Sequence, residues 1–574
     1  MDNRHIARVL HEIADVLEIK GENVFRVRSY RIGAESVESC AESLAAQLGR
    51  GEPLRGLPGI GEGIAAKIRE LVTSGACAYH QELLSEVPRG VLDLLRLPGL
   101  GPKGVNLVWT RLGVQSLDDL EAAIADGRFR SLPGMKEKKE ARIRKGLQER
   151  KAAAVRFLLP PADALVAQLT RYLTEHGAAR VEAVGSYRRR RDTVGDLDLI
   201  AVADHPDAVS DAFIRHPEVK EVLAHGGAKT SVVLSSGLQV DLRPFAADSL
   251  GAALQYFTGS KAHNVALRER ALRRGLKLNE YGVWRVEDGS RVAGATEEEV
   301  YAALGLAFVP PELREDRGEI EAAAQGTLPR LVEPADVRGD LHAHTVESDG
   351  RESLEAMVEA ARGRGLAYLA ITDHSRAIPS RKRGTGMDEA RCLEHAARVR
   401  ALQGRVPGLR LLTGIEVDIL PDGTLDMADD VLAQLDVVVG SLHSQLNMEA
   451  PEMTARVLRA LESPHLDVWG HPMSRKLLRR DPVALDLEAV LAAAARHRVA
   501  LEINCQPDRL DLPDHLIRPA RDKGIRFVIS TDSHAGHHFE NLRYGVGQAR
   551  RGWLTAEDVL NTRDADGFLG ALRH

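Results

Sequence analysis

The segment GDLDLIAV sets Asp196 and Asp198 two residues apart among apolar neighbours. Read as a strand, that spacing puts both carboxylates on one face and turns Leu197 and Leu199 to the other. Two carboxylates on one face repel each other unless a cation lies between them. QVDLRPF offers a third, Asp241, in a segment with the same alternation. Three carboxylates together with phosphate oxygens suit two Mg2+ or Mn2+ ions, which prefer oxygen ligands. Such a pair can activate an attacking hydroxyl and stabilise the leaving oxygen of an in-line phosphoryl displacement. Just upstream, VGSYRRRRD supplies Gly185 and Ser186 as a tight turn able to hold a phosphate, with Arg188 and Arg189 to neutralise it. The arginine run alone reads as a solvated basic loop. The run, the turn and the three aspartates together read as a polyphosphate site.

A second set of residues recurs at the ends of apolar segments further along. It comprises His342 and His344 in LHAH, Asp349 just beyond, His374 in TDHS, Glu416 in GIEVD, His443 in SLHS, His471 in WGHP, and Asp532 and His534 in TDSH. On a strand, H-x-H points both imidazoles the same way, as a shared metal requires. A lone histidine at a strand end is usually a hydrogen-bonded structural residue. Nine acids and imidazoles at corresponding places would carry a heavy desolvation cost if buried without metals. Nitrogen and oxygen donors without sulfur suit Mn2+, Zn2+ or Fe.

The elements that must position these groups follow from periodicity and turns. Residues 1–150 read as helices punctuated by LPGIGEGIAAKI, LPGLGPKGVNLV and a weaker LPGMKEKKEARI. In the first two, Gly59 and Gly61, and Gly99 and Gly101, leave N–H groups at a helix start free for a DNA phosphate. From residue 151, short strands such as VEAVGS, GDLDLIAV, TSVVLSS and LQVDLRPF alternate with turn residues. The proline- and charge-rich run that ends at residue 337 reads as a linker. The C-terminal segment alternates seven apolar strands with helical stretches, which implies a parallel sheet closed into a barrel with its working groups at the C-terminal strand ends. The whole is a multidomain chain of α+β and α/β character.

Composition narrows the class. The 574 residues exceed one core, and a net charge of −6 assigns any nucleic-acid contact to local basic faces rather than bulk charge. Four cysteines lie far apart with no C-x-x-C, which argues against a disulfide framework or a thiolate zinc site. The N-terminal helix is charged throughout and no run approaches a membrane span, so a cytoplasmic protein is expected.

Gly-Ser, an aromatic, two arginines and D-x-D resemble the palm of the family X DNA polymerases, and YFTGSKAHNVALRERALRRGLKLNEYGVW extends the likeness. The resemblance implies that Asp196, Asp198 and Asp241 are the catalytic aspartates and that Arg189 binds the triphosphate. Tyr256, Phe257 and Gly259 would pack against the incoming sugar, while Asn264 and Arg268 would sense the new base pair. Lys67 occupies the place of the family's lyase nucleophile, but Gly63 stands where a supporting lysine belongs, so Lys67 reads equally as a phosphate-binding helix residue. The nine C-terminal groups resemble the PHP (polymerase and histidinol phosphatase) family, a distorted seven-stranded barrel with up to three metals. That likeness implies one metal on His342, His344, Glu416 and Asp532, a second bridged by Glu416 to His443 and His471, and a third on Asp349, His374 and His534. The implied organisation is a lyase-like helix-hairpin-helix domain over 1–85, a second hairpin over 86–150, a palm over 151–245, a nucleotide-selecting part over 246–316, a linker over 317–337 and the PHP domain over 338–574. The implied function is gap-filling DNA repair synthesis with a 3′–5′ exonuclease in the barrel, which could in addition cut at abasic sites or remove 3′-phosphates. The partners would be gapped or primer-template DNA and dNTPs, met by a monomer. The alternative is a PHP phosphatase tethered to DNA by a non-polymerising N-terminal half.

Overall fold

The computed structural model describes residues 3–39, 44–50, 54, 59–95, 97, 99–154, 156–377 and 386–572. The chain divides into two compact units, Met1–Ala154 and Val155–His574.

The first unit is helical. Its opening helix, Asn3–Ile19, buries Ile6, Leu10, Ile13 and Leu17 along one stripe, as an i, i+3/i+4 spacing requires. The two hairpins share one geometry. Gly59 and Gly99 have φ of +75° and +93°. Gly61 and Gly101 then enter helices Glu62–Ser74 and Pro102–Leu112 with nearly identical backbone angles, φ −81°, ψ 175° and φ −80°, ψ 176°. A side chain at Gly59 would come within 2.6 Å of the Gly33 amide nitrogen, so this turn needs glycine for space as well as for φ. Pro58 and Pro98, with Leu57, lie outside the described residues.

In the second unit a five-stranded sheet runs in the order Arg180–Ala183, Asp196–Val202, Gln239–Phe245, Thr230–Leu234, Val219–Ala224. The one parallel pairing, Asp196–Val202 beside Gln239–Phe245, sets Asp198 directly opposite Asp241. Helices Leu250–Thr258 and Lys261–Arg273 and a three-stranded sheet follow.

Residues 317–337, expected as a linker, are packed. Helix Glu319–Gln325 buries Ile320 and Ala323 against Val309 and Leu313, and Val332 enters the barrel core. Glu319, one of the charges that suggested a solvated tether, is fully buried and bonds His263 at 2.6 Å, whereas Glu321, Arg330 and Glu333 stay exposed.

Seven parallel strands follow in sequence order, Gly339–Asp340, Tyr368–Ile371, Arg410–Asp418, Val437–Ser441, Val468–Trp469, Ala500–Asn504 and Phe527–Ser530. The ends of the row meet: the Thr531 hydroxyl donates to Asp340 at 2.5 Å, and the His344 amide donates to the Ser533 carbonyl at 2.8 Å. The result is a nearly closed barrel, and its strands are the apolar segments legible in the sequence. No described helix is long and apolar enough to cross a membrane.

Candidate active sites

The aspartate cluster is built by strand register. Asp196 is exposed, Asp198 partly buried and Asp241 buried, with Leu197 and Leu199 turned into the core between them. Gly185 has φ +66°, and a side chain there would come 3.0 Å from an Asp198 carboxylate oxygen, so glycine lets the turn close onto the carboxylate. Two cations missed in the sequence lie among the acids. Arg243 approaches Asp198 at 2.9 Å and Asp241 at 3.6 Å, and Lys229 approaches Asp241 at 2.6 Å. Arg243 follows Asp241 by two residues on the same strand face, a period-two signal that was available. Burial, helped by Asp196 and Asp241, pushes the Asp198 carboxyl up to about 6 against the pull of Arg243. Asp241 sits below the usual carboxylate value: burial raises it, but hydrogen bonds from Lys229, Ser231 and Gln239 outweigh that.

A cleft of about 520 Å3 gathers Gly185, Ser186, Arg189, Asp196 and Asp198 with Tyr256, Phe257, Gly259, Asn264 and Arg268. Arg188, expected at the phosphate, is engaged elsewhere: it forms a fork to Glu297 at 2.9 and 2.6 Å and donates to the Thr258 hydroxyl at 2.7 Å. Burial makes such a fork obligatory, because Arg314 shares Glu297 at 2.6 Å and an unpaired charge there would be costly. Arg189 does face the cleft, and it also donates to the Thr258 carbonyl at 2.5 Å and to Glu315 at 3.0 Å. Arg190 lies 3.5 Å from Asp163, Arg191 3.8 Å from Glu315, and Asp192 accepts from Arg475 at 3.1 Å. The arginine run is thus neither a loose basic loop nor wholly a phosphate site. Most of it joins the five-stranded sheet region to the rest of the unit.

The histidine cluster lies at the C-terminal ends of the barrel strands. His344, Asp349, His374 and His534 form one group with ligand atoms mutually within 4.8 Å; His342, His344 and Asp532 form a second, and His374, Glu416 and His443 a third. Glu416 is central, 2.9 Å from His374, 3.0 Å from His471, 3.2 Å from His342 and 3.3 Å from His443. The structure therefore brings all nine expected groups together. His342 Nε2, both ring nitrogens of His344 and His471 Nδ1 are buried without a hydrogen-bond partner. Unbonded imidazole nitrogens amid carboxylates are the donor set a metal ion completes.

Sequence reading missed the supporting residues. Glu502 bonds His342 Nδ1 at 2.7 Å and the His471 amide at 2.6 Å, Asp418 bonds His443 Nδ1 at 3.1 Å, and Asn504 donates to Asp532 at 3.1 Å. Asp418 and Asn504 follow Glu416 and Glu502 by two residues, so strand alternation places each pair on one face. Burial lowers His344 to about 4 and His471 to about 3, with neighbouring cations in support. His374 rises to about 10, because Glu416 and Asp349 overcome the opposite pull of burial.

In the first unit, Lys67 lies over the Tyr79 ring at 4.8 Å and its ammonium is 3.4 Å from the Gly63 carbonyl.

Family models match four stretches: a helix-hairpin-helix domain over residues 1–77, a SAM-like helix-hairpin-helix tandem over 91–149, a DNA polymerase beta thumb over 253–315 and a PHP domain over 340–506. The chain is 36% identical over 575 residues to the DNA polymerase/3′-5′ exonuclease PolX of Bacillus subtilis (strain 168), covering 99% of each. Probable phosphatases of Thermoanaerobacter sp. (strain X514) and Shewanella sediminis match 39% of the chain at 26% and 32% identity, covering 89% and 88% of their own lengths.

Proposed function

The chain belongs to the PolX family of DNA polymerase/3′-5′ exonucleases, and we infer from this premise that the two clusters are its two separate active sites. It is a DNA-directed DNA polymerase of family X with a 3′–5′ exonuclease in its PHP domain, and both activities depend on metal ions. The observation that carries the two-site reading is the presence, in one chain matched end to end by such an enzyme, of both complete clusters on different sheets.

In the palm, Asp196, Asp198 and Asp241 hold two Mg2+ or Mn2+ ions, which supply activation of the primer hydroxyl and stabilisation of the leaving pyrophosphate. Gly185 and Ser186 cradle the triphosphate and Arg189 binds it across the cleft. Phe257 and Tyr256 face the sugar. Asn264 is pre-oriented, since its amide donates to the Tyr256 carbonyl at 2.6 Å and accepts from Gln255 at 2.8 Å. Arg268 lies on the same wall. Arg243 and Lys229 keep the acids from repelling one another before substrate arrives.

In the barrel, up to three ions of Mn2+, Zn2+ or Fe held by the nine groups supply a deprotonated water and a polarised phosphate. Glu502 and Asp418 fix the tautomer and angle of His342 and His443. The phosphatase relatives favour a second barrel activity, removal of 3′-phosphates. The paired hairpins around Gly59, Gly61, Gly99 and Gly101 hold the backbone of gapped DNA. The protein works as a cytoplasmic repair monomer.

The test is a labelled primer on gapped DNA with dNTPs and Mn2+. Asp198→Ala is expected to lose extension alone and His344→Ala to lose shortening alone. Extension by Asp198→Ala would overturn the palm assignment.

A further inference from the structure

Beside the histidine cluster lies a cavity of about 340 Å3, lined by Leu158, Pro507 and Arg509 together with Asp532 and His534. Four of these residues belong to the barrel. Leu158 does not: it sits in the short strand Phe157–Leu158 at the start of the palm and pairs with Thr193, next to the arginine turn.

The two cations lining the cavity differ. Lys476 is occupied, with its ammonium 2.9 and 2.8 Å from the two oxygens of Asp508. Arg509 is held by charge alone: its Nε pairs with Asp532 at 3.7 Å, and its Nε and Nη1 are buried without a hydrogen-bond partner. Buried guanidinium donors left unbonded are costly unless a ligand anion accepts from them. The palm also grips the backbone that carries Arg509. Arg475 donates to the Arg509 carbonyl at 2.9 Å and reaches Asp192 of the palm turn at 3.1 Å. An apolar wall, an arginine with unbonded donors and two expected metal ligands in one cavity match a sugar and its phosphate better than a lone phosphate.

We propose that this cavity, shared between palm and barrel, seats the nucleotide next to the scissile phosphate of the strand being trimmed. Arg509 binds that nucleotide's own phosphate, and Leu158 with Pro507 packs on its sugar and base. The palm thereby makes the barrel selective for a DNA end over a small phosphate ester. The proposal rests on the exonuclease reading of the barrel. It explains why the first palm strand ends against the nuclease site, a place that polymerisation gives it no reason to occupy.

The experiment compares steady-state hydrolysis of a 3′-end-labelled oligonucleotide and of p-nitrophenyl phosphate by full-length wild type, Leu158→Ala and Arg509→Ala, all loaded with Mn2+. Primer extension and bound metal are measured on each as checks of folding. Leu158→Ala is expected to raise KM for the oligonucleotide by about fivefold and Arg509→Ala by about thirtyfold, with smaller changes in kcat. KM for p-nitrophenyl phosphate, too small to span the cavity, changes far less. The proposal is overturned if Leu158→Ala leaves the oligonucleotide KM at the wild-type value, or if either variant raises KM equally for both substrates. If wild type itself hydrolyses the ester and never shortens DNA, the exonuclease reading fails and the proposal falls with it. That result is distinct because it needs no variant.

Discussion

The palm and the barrel both gather acids in sets that would hold metals, yet they solve opposite problems. The palm cluster has three carboxylates on an open cleft, with Asp196 exposed and the protein's own Arg243 and Lys229 drawn in among them. The barrel cluster has nine ligand groups, and its central members, His342, His344, Glu416 and His471, are at most 1% exposed. A polymerase site must admit a triphosphate and a primer end, whose oxygens complete the metal shell. A ligand-rich barrel site whose central groups are buried would hold its metals before any substrate comes. Sparse and open goes with metals that arrive with substrate; dense and buried goes with resident ones.

The largest expected effects test whether the two sites are independent. Asp198→Ala should cut primer extension by about a thousandfold or more while trimming stays near wild type, and Glu416→Ala should do the reverse, both read on one gel. Equal loss of both activities in either variant would break the contrast. A smaller effect sharpens it. Glu502→Gln should weaken metal binding in the barrel by about ten- to a hundredfold, read by competition with a chelator, because outer partners orient ligating imidazoles. The palm, whose acids are braced by cations rather than by outer carboxylates, has no counterpart to this loss.

The seam between the regions gives the next test. Asp514 accepts from Arg551 at 2.7 Å and Arg317 at 3.0 Å, and Arg551 also reaches Glu315 at 3.0 Å. Burial pushes the Asp514 carboxyl up, but His515, Arg551 and Arg317 win and hold it well below the usual value. A depressed carboxylate stabilises the folded state above its unfolded pKa near 4, and that contribution fades as pH falls from there toward the folded value. Asp514→Asn should therefore cost about 2–4 kcal/mol at pH 7 by denaturant unfolding, with the difference from wild type shrinking below about pH 4. A pH-independent difference would mean lost packing rather than lost charge. Thermal unfolding supplies a comparable effect. Mn2+ at a hundredfold excess over its Kd should stabilise metal-free protein by about 2.7 kcal/mol through the barrel, and His344→Ala should abolish most of the gain. The smallest effect belongs to Lys67→Ala, which should slow gap filling by less than about threefold in a primer-extension time course, since the Lys67 ammonium is already engaged by the Tyr79 ring and the Gly63 carbonyl.

What the sequence could disclose was whatever repeats at short range. Alternation placed Asp196 and Asp198 on one face, Pro-Gly turns marked both hairpins, and apolar strands ending in histidine or acid marked the barrel and the nine groups gathered at its strand ends. The same logic reached Asp418 in principle, because it follows Glu416 by two; Asn504 follows Glu502, which was itself missed. It could not reach Arg243 against Asp198, which depends on a parallel register between strands over forty residues apart in sequence. Nor could it tell that Arg188 answers Glu297 rather than a phosphate, that the charged run through Glu319 is a packed strut rather than a tether, or that Leu158 walls the barrel's cavity. Periodicity is set by the geometry of one strand or helix and is written locally. The partner of a charge is set by which distant surfaces pack together, and only burial decides whether that charge must be paired.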